Sequence, residues 1–293
     1  MLDLFTQAPA IFIAVAFAFA LLIGSFLNVV IYRLPIMMER EWRAQCAELA
    51  ETPAPDIQDG RFNLVVPRSR CPSCGAQITA WQNVPVLSYL MLGGRCAACK
   101  AAISARYPIV EFVTALLVAI VAWRFGATWQ GLMAIVLTLF LVPITMIDFD
   151  RCLIPDSIVL PLMWIGLGMS LWYPLPAADV LFIAPADAII GAIAGYLSLW
   201  SFYWLFKLAT GKEGLGFGEF KLLAALGAWL GYQYLFTIII MSAVVGATLG
   251  IALIVFRGRD HQVPMPFGPF LAGAGWLTML WGDAIKGFFN LPF

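Results

Sequence analysis

The sequence predicts an all-α, polytopic membrane protein of about eight transmembrane helices, with one hydrophilic insert after the first. Three observations carry this prediction: an excess of apolar residues, apolar runs of spanning length, and basic residues gathered on one side. Of 293 residues, 62% are hydrophobic and 12% are charged. A soluble domain ordinarily carries about 25% charge. That much apolar surface cannot all be buried in one water-soluble core, so lipid is the expected solvent. The formal net charge is zero and no basic stripe is present to neutralise phosphates, so no nucleic-acid partner is expected. His261 is the single histidine, which argues against a histidine-based triad or a multi-histidine metal site.

A spanning helix takes about 20 mainly apolar residues. Runs of this kind lie at 11–32, 109–123, 129–147, 158–173, 184–206, 220–230, 234–256 and 267–289. The second and sixth are short. The stretch 220–256 is too long for one ordinary span, and Gly231-Tyr232-Gln233 is its natural break. The residues before the first run lack the basic n-region of a cleaved secretory signal, so that run is expected to persist as a membrane helix.

The basic residues test the count. The loop from Arg33 to Arg106 holds nine Lys and Arg. With eight spans, the loops on the same side contain Arg151, Lys207, Lys212, Arg257 and Arg259, and the opposite side receives Arg124 and Lys286. This bias places the first group in the cytosol and both termini outside, in the periplasm of a Gram-negative cell. Six or seven spans would scatter the charges over both faces. The expected organisation is a first helix at 1–33, a cytosolic domain at 34–107 with Pro/Asp-rich punctuation at 52–60, and a membrane core at 108–293.

Within the insert, Cys71-Pro-Ser-Cys74 is followed, after 21 intervening residues, by Cys96-Ala-Ala-Cys99. Two residues between thiolates let both face one tetrahedral ion, and paired knuckles at about this separation are a zinc signature. Gly75 and Gly93-Gly94 supply the backbone freedom that such turns need. Two disulfides or free thiols are the alternatives, and a reducing compartment disfavours the disulfides. Four thiolates leave no open position for water, so the expected zinc is structural. Cys46 reads as an ordinary thiol and Cys152 as a small packing residue.

Carboxylates gather in two segments. Asp148, Asp150 and Asp156 lie between two apolar runs, and Glu213 and Glu219 precede another. In the eight-span topology both segments reach the cytosolic membrane surface. Acidic residues at membrane depth are costly and usually functional. Asp148 closes one apolar run and Glu219 opens another. Two carboxyls brought together can divide the roles of base and acid, which suffices to hydrolyse a peptide with water. Spacing alone allows an ion site in a transporter equally well. Helix capping or support of a neighbour is expected for Asp156, and a solvated loop charge for Asp150. The Gly-x-Gly run before Glu219 would let a substrate strand approach the backbone.

Together these segments resemble a known family. Gly24-Ser-Phe-Leu-Asn-Val-Val-Ile-Tyr-Arg33-Leu-Pro35 resembles the N-terminal signature of type IV prepilin peptidases. The two CxxC knuckles, Arg106-Tyr-Pro-Ile-Val-Glu111 and the segment from Asp148 to Asp156 are similar to that family in the same order. Gly216-Phe-Gly-Glu219 resembles its Gly-x-Gly-Asp motif, with Glu in place of Asp. The likeness covers nearly the whole chain. It implies an inner-membrane enzyme that removes the leader from type IV prepilins and type II secretion pseudopilins at the cytosolic face. The same enzyme would then methylate the new N-terminal amine, typically of Phe, using S-adenosylmethionine. It implies catalytic carboxylates at Asp148 and Glu219, zinc ligands at Cys71, Cys74, Cys96 and Cys99, and a link to methyl transfer at Gly94 and Arg95. The alternatives are a peptidase-only member, whose kind often lacks the cysteine-bearing loop, and a non-enzymatic transporter or assembly scaffold. The halves of the sequence show none of the repeat symmetry common in transporters.

Overall fold

The computed structural model describes residues 8–52, 62–79, 81–174, 181–212, 214–257 and 266–288. Glu213, Arg259, His261 and the punctuation at 53–60 lie outside the described residues. The described chain is helical: α1 (Pro9–Leu49), the short α2 (Leu87–Met91), α3 (Arg106–Phe125), α4 (Trp129–Arg151), α5 (Asp156–Ser170), α6 (Pro185–Thr210), α7 (Phe217–Leu230), α8 (Leu235–Arg257) and α9 (Gly268–Phe288). Each expected apolar run falls on one helix, of which α5 and α7 are short. Among the described residues, five helical segments are long and apolar enough to cross a membrane, and α5 is a shorter apolar helix. The chain separates into two compact units, Met1–Trp123 and Arg124–Phe293.

In the first unit, α1 does not stop at the end of its apolar run. It continues to Leu49 through Pro35. Residues 36–49 are rich in Met, Glu, Arg, Ala and Leu, which are strong helix formers, and Pro35 removes only one ladder donor. Arg43 pairs with Glu39 one turn away. Gly24 lets α1 touch α3, since a Cβ there would sit 2.9 Å from Glu111 Cα. Asn28 Nδ2 donates to the Tyr107 carbonyl at 3.1 Å. Arg33 is buried because its guanidinium clasps the insert, donating to the carbonyls of Asn63 (2.8 Å) and Pro67 (2.6 Å).

In the second unit, α7 is the core. From Glu219 to Leu230 every residue except Lys221 is buried. Its 14 residues extend only about 21 Å at 1.5 Å each, against a hydrocarbon layer of about 30 Å. The apolar run at 220–230 is therefore short because neighbouring helices surround it. Helix α6 approaches through Gly191-Ala-Ile-Ala-Gly195: a Cβ on Gly191 would lie 2.2 Å from the Gly227 carbonyl oxygen, and one on Gly195 2.6 Å from that of Leu223. Small residues four apart are how membrane helices bring backbones together. Trp229 Nε1 donates to the Leu162 carbonyl at 2.7 Å, joining α7 to α5. Trp276 Nε1 donates to Thr138 Oγ1 at 3.0 Å, joining α9 to α4. The chain breaks after α7 at Gly231, with φ +87, followed by a 3₁₀ turn over Tyr232–Tyr234, where the sequence placed the break.

The α6–α7 contact makes the first testable prediction. Gly191→Ala should destabilise the protein by about 1–3 kcal/mol, since no flexible side chain can yield at that contact. Gly273→Ala is the control, because a Cβ there meets nothing within 4 Å. Thermal melting in detergent measures both, and equal melting of the two variants would contradict the packing.

Candidate active site and metal centre

Asp148 lies one turn before the end of α4, on the face that packs inward after Ile144 and Ile147. It is 3% exposed. The N–H of Gly268, first residue of α9, donates to Asp148 Oδ2 at 3.0 Å. Glu219 is 8% exposed and occupies the first turn of α7. Its Oε2 accepts the N–H of Gly216 at 2.8 Å, and its own N–H donates to the Gly216 carbonyl at 3.2 Å. This is the acidic half of a capping box, in which the third helical residue reaches back to the cap. The two carboxyls lie close enough for the Asp148 charge to act on Glu219. The structure thus brings together carboxylates 71 positions apart in sequence, beside Gly268, which no sequence motif singles out.

The remaining acids separate. Asp156 opens α5, and Lys221 Nζ lies 2.7 Å from both of its carboxylate oxygens. Lys221 is two residues beyond Glu219, so Asp156 supports α7. Its partner is 65 residues away, and no local pattern in the sequence points to it. Asp150 is exposed in the last turn of α4. Two expectations are corrected. Cys152 is not a buried packing residue: it is exposed and ends α4 in the left-handed region at φ +50, its N–H donating to the Asp148 carbonyl at 2.8 Å. Of the Gly-x-Gly run expected to admit a substrate strand, Gly218 is closed by packing, a Cβ there lying 2.7 Å from Ile154 Cβ, while a Cβ on Gly216 would meet nothing within 4 Å. Packing against Ile154 demands the glycine at 218.

In the first unit the four cysteines converge. The sulfurs of Cys71, Cys74, Cys96 and Cys99 all lie within 4.8 Å of one another, and those of Cys71 and Cys99 are 3.8 Å apart. A tetrahedral ion with Zn–S bonds of about 2.3 Å needs sulfur–sulfur edges of about 3.8 Å. The knuckles are built alike. Cys71 N–H donates to the Ala76 carbonyl and Cys96 N–H to that of Ala101. Gly75 (φ +71) and Lys100 (φ +62) make the left-handed turn after each second cysteine. The N–H groups of Cys74 and Ser73 point at the Cys71 sulfur and lower its thiol to about 6. Those of Cys99 and Ala98 lower Cys96 in the same way. Thiolates are the form that binds metal; at Cys74 the Ala76 N–H favours it too, but the crowding sulfurs of Cys99, Cys71 and Cys96 outweigh that N–H and raise this thiol to about 11. The donor set, its edges and its N–H···S pattern fit a structural zinc ion.

Gly94 and Arg95 lie on the second knuckle's entry. Gly94 has φ +68, and a Cβ there would lie 2.9 Å from Tyr89 Oη. Arg95 bridges to Ala102. A cavity of about 320 Å³ beside Tyr89 is lined by Val86, Leu90, Pro108, Ile109, Phe112 and other apolar groups. With no charged side chain in that lining, it does not match the amino-acid end of S-adenosylmethionine.

Fold and site define a class: a helical, multi-pass membrane protein with a buried carboxylate pair and a separate four-thiolate knuckle. Residues 18–125 match the family described as Bacterial Peptidase A24 N-terminal domain, and residues 135–251 match the Type IV leader peptidase family. The chain belongs to the type IV leader peptidase family. It is 53% identical over 290 residues to a prepilin leader peptidase/N-methyltransferase of Aeromonas salmonicida strain A449, covering 97% of this chain and 96% of the relative. To the protein of that name from Pseudomonas aeruginosa PAO1 it is 50% identical over 285 residues, covering 97% and 96%. To that of Xanthomonas campestris pv. campestris it is 46% identical over 284 residues, covering 96% of each. No solved structure matches the chain.

Proposed function

We propose that this chain is a prepilin leader peptidase and N-methyltransferase, and that its peptidase is aspartic in mechanism. The observation that carries the reading is the buried pair of Asp148 and Glu219, in a chain related along its whole length to enzymes of that name. In this reading one carboxylate is ionised and draws a proton from water as the water attacks the scissile carbonyl. The other carboxyl is protonated and hydrogen-bonds the carbonyl oxygen, then passes its proton to the leaving amine. Burial sharpens the division, because two neighbouring carboxyls withdrawn from water do not both ionise readily. Substrates are type IV prepilins and type II secretion pseudopilins, whose apolar segments share the bilayer with the enzyme. The new N-terminal residue, typically Phe, is then methylated with S-adenosylmethionine as donor; Gly94 and Arg95 are the residues proposed to bear on that step.

The topology proposed is eight helices at the membrane, with the inner-membrane enzyme's active site and 34–107 domain facing the cytosol. Cys71, Cys74, Cys96 and Cys99 would hold a structural zinc that cross-links the domain, and residues 108–293 form the peptidase core. The experiment is incubation of detergent-purified protein with a prepilin. A product lighter by the mass of the leader supports the reading, and an unchanged mass defeats it.

A second measurement concerns the metal. Elemental analysis should find about one zinc per chain, with loss in Cys71→Ser and in Cys96→Ser. Removal by a chelator should open the 62–107 segment to protease, because metal binding contributes about 10–16 kcal/mol of folding free energy in small zinc domains. Full zinc content in both variants would exclude the four-thiolate site.

A further inference from the structure

We infer that the Gly268 N–H and the Ile154 side chain form a clamp that holds the two carboxyls in place, and that Gly268 is a positioning residue for leader cleavage. The inference rests on the proposed catalytic role of Asp148 and Glu219. Gly268 N–H donates to Asp148 Oδ2 at 3.0 Å in a buried environment.

The space around the clamp is filled. A Cβ on Gly268 would lie 2.5 Å from Asp148 Oδ2, 3.0 Å from its Cγ and 3.0 Å from Ile154 Cδ1. Only glycine lets the amide come this close to the carboxylate. Ile154, 6% exposed, is the wedge behind it. It also contacts Gly218, where a Cβ would lie 2.7 Å from Ile154 Cβ, and Gly218 immediately precedes Glu219. One isoleucine thus braces the glycine bonded to Asp148 and the glycine leading into Glu219. Trp276 to Thr138, farther along α9 and α4, holds the two helices that meet at this bond.

The test uses the full-length protein in detergent, with a prepilin as substrate, and reads kcat and KM separately. Gly268→Ala should lower kcat for cleavage by about 100-fold, the cost of displacing a reacting group by about 1 Å, with KM unchanged. Adding Ile154→Val to Gly268→Ala removes Cδ1, lets the new methyl move away from Asp148, and should recover at least roughly tenfold. Ile154→Ala alone deletes the wedge without adding an atom and should lower kcat roughly tenfold at unchanged KM. Gly273→Ala, on the same helix with open space around it, should cleave as the parent does. Parental kcat in Gly268→Ala overturns the inference. So does parental kcat in Ile154→Ala, a reading that holds even where Gly268→Ala yields no folded protein. Asp148→Asn is assayed beside them: cleavage that survives it defeats the catalytic reading itself, whereas its loss with Gly268→Ala fully active defeats the clamp alone.

Discussion

Asp148→Asn is expected to lower leader cleavage by about 100- to 10,000-fold, the range that a positioned acid or base contributes. The substitution isolates the chemistry. Asparagine keeps an oxygen that can accept the Gly268 N–H, now at 3.0 Å from Asp148 Oδ2, so α4 and α9 should stay joined. What is lost is the ability to take and return a proton. Zinc content and melting temperature should match the parent, and methylation of a pre-cleaved peptide should continue if it uses separate residues. Mass spectrometry follows the leader and methyl incorporation in the same samples. Full cleavage by Asp148→Asn would remove the aspartic mechanism, whatever the family.

The second large effect is at position 219, and here two substitutions should act in opposite directions. Glu219→Gln should abolish cleavage. Glutamine is the other side chain that completes a capping box, so its oxygen can still accept the Gly216 N–H that Glu219 Oε2 holds at 2.8 Å. The α7 start should therefore persist without its titratable proton. Glu219→Asp should raise cleavage, by up to roughly 100-fold. It withdraws the carboxyl by one methylene, to the side-chain length of the Gly-x-Gly-Asp motif that 216–219 resembles. Single-turnover rates decide this: an Asp variant slower than the parent would mean that the surrounding turn has adapted to the longer side chain.

Much of the architecture was legible because membrane helices announce themselves by length and apolarity. The runs at 129–147, 184–206 and 234–256 reappear in α4, α6 and α8, and the break at Gly231 falls where the sequence put it. The cysteine cluster was legible for a different reason: each CxxC knuckle closes over four residues, so local spacing already encodes ligand geometry. Asp148 and Glu219 could be nominated because a carboxylate at the edge of an apolar run is conspicuous against its neighbours.

The sequence by itself determined the solvent, the helices, the thiolate knuckles and the two candidate carboxylates, since all are properties of composition or of residues close in the chain. Tertiary structure alone decided which groups meet. It paired Asp156 with Lys221 across 65 positions, put Ile154 behind Gly218 and Gly268, and brought one turn of α9 against Asp148 across 120 positions. It also surrounded α7 with neighbouring helices, a setting that the short run at 220–230 does not reveal by itself. The physical reason is common to all of these. A glycine whose value lies in the side chain it lacks, or a backbone N–H whose partner arrives from a distant helix, has no signature in the residues beside it. Its role exists only once packing has fixed what stands at contact distance.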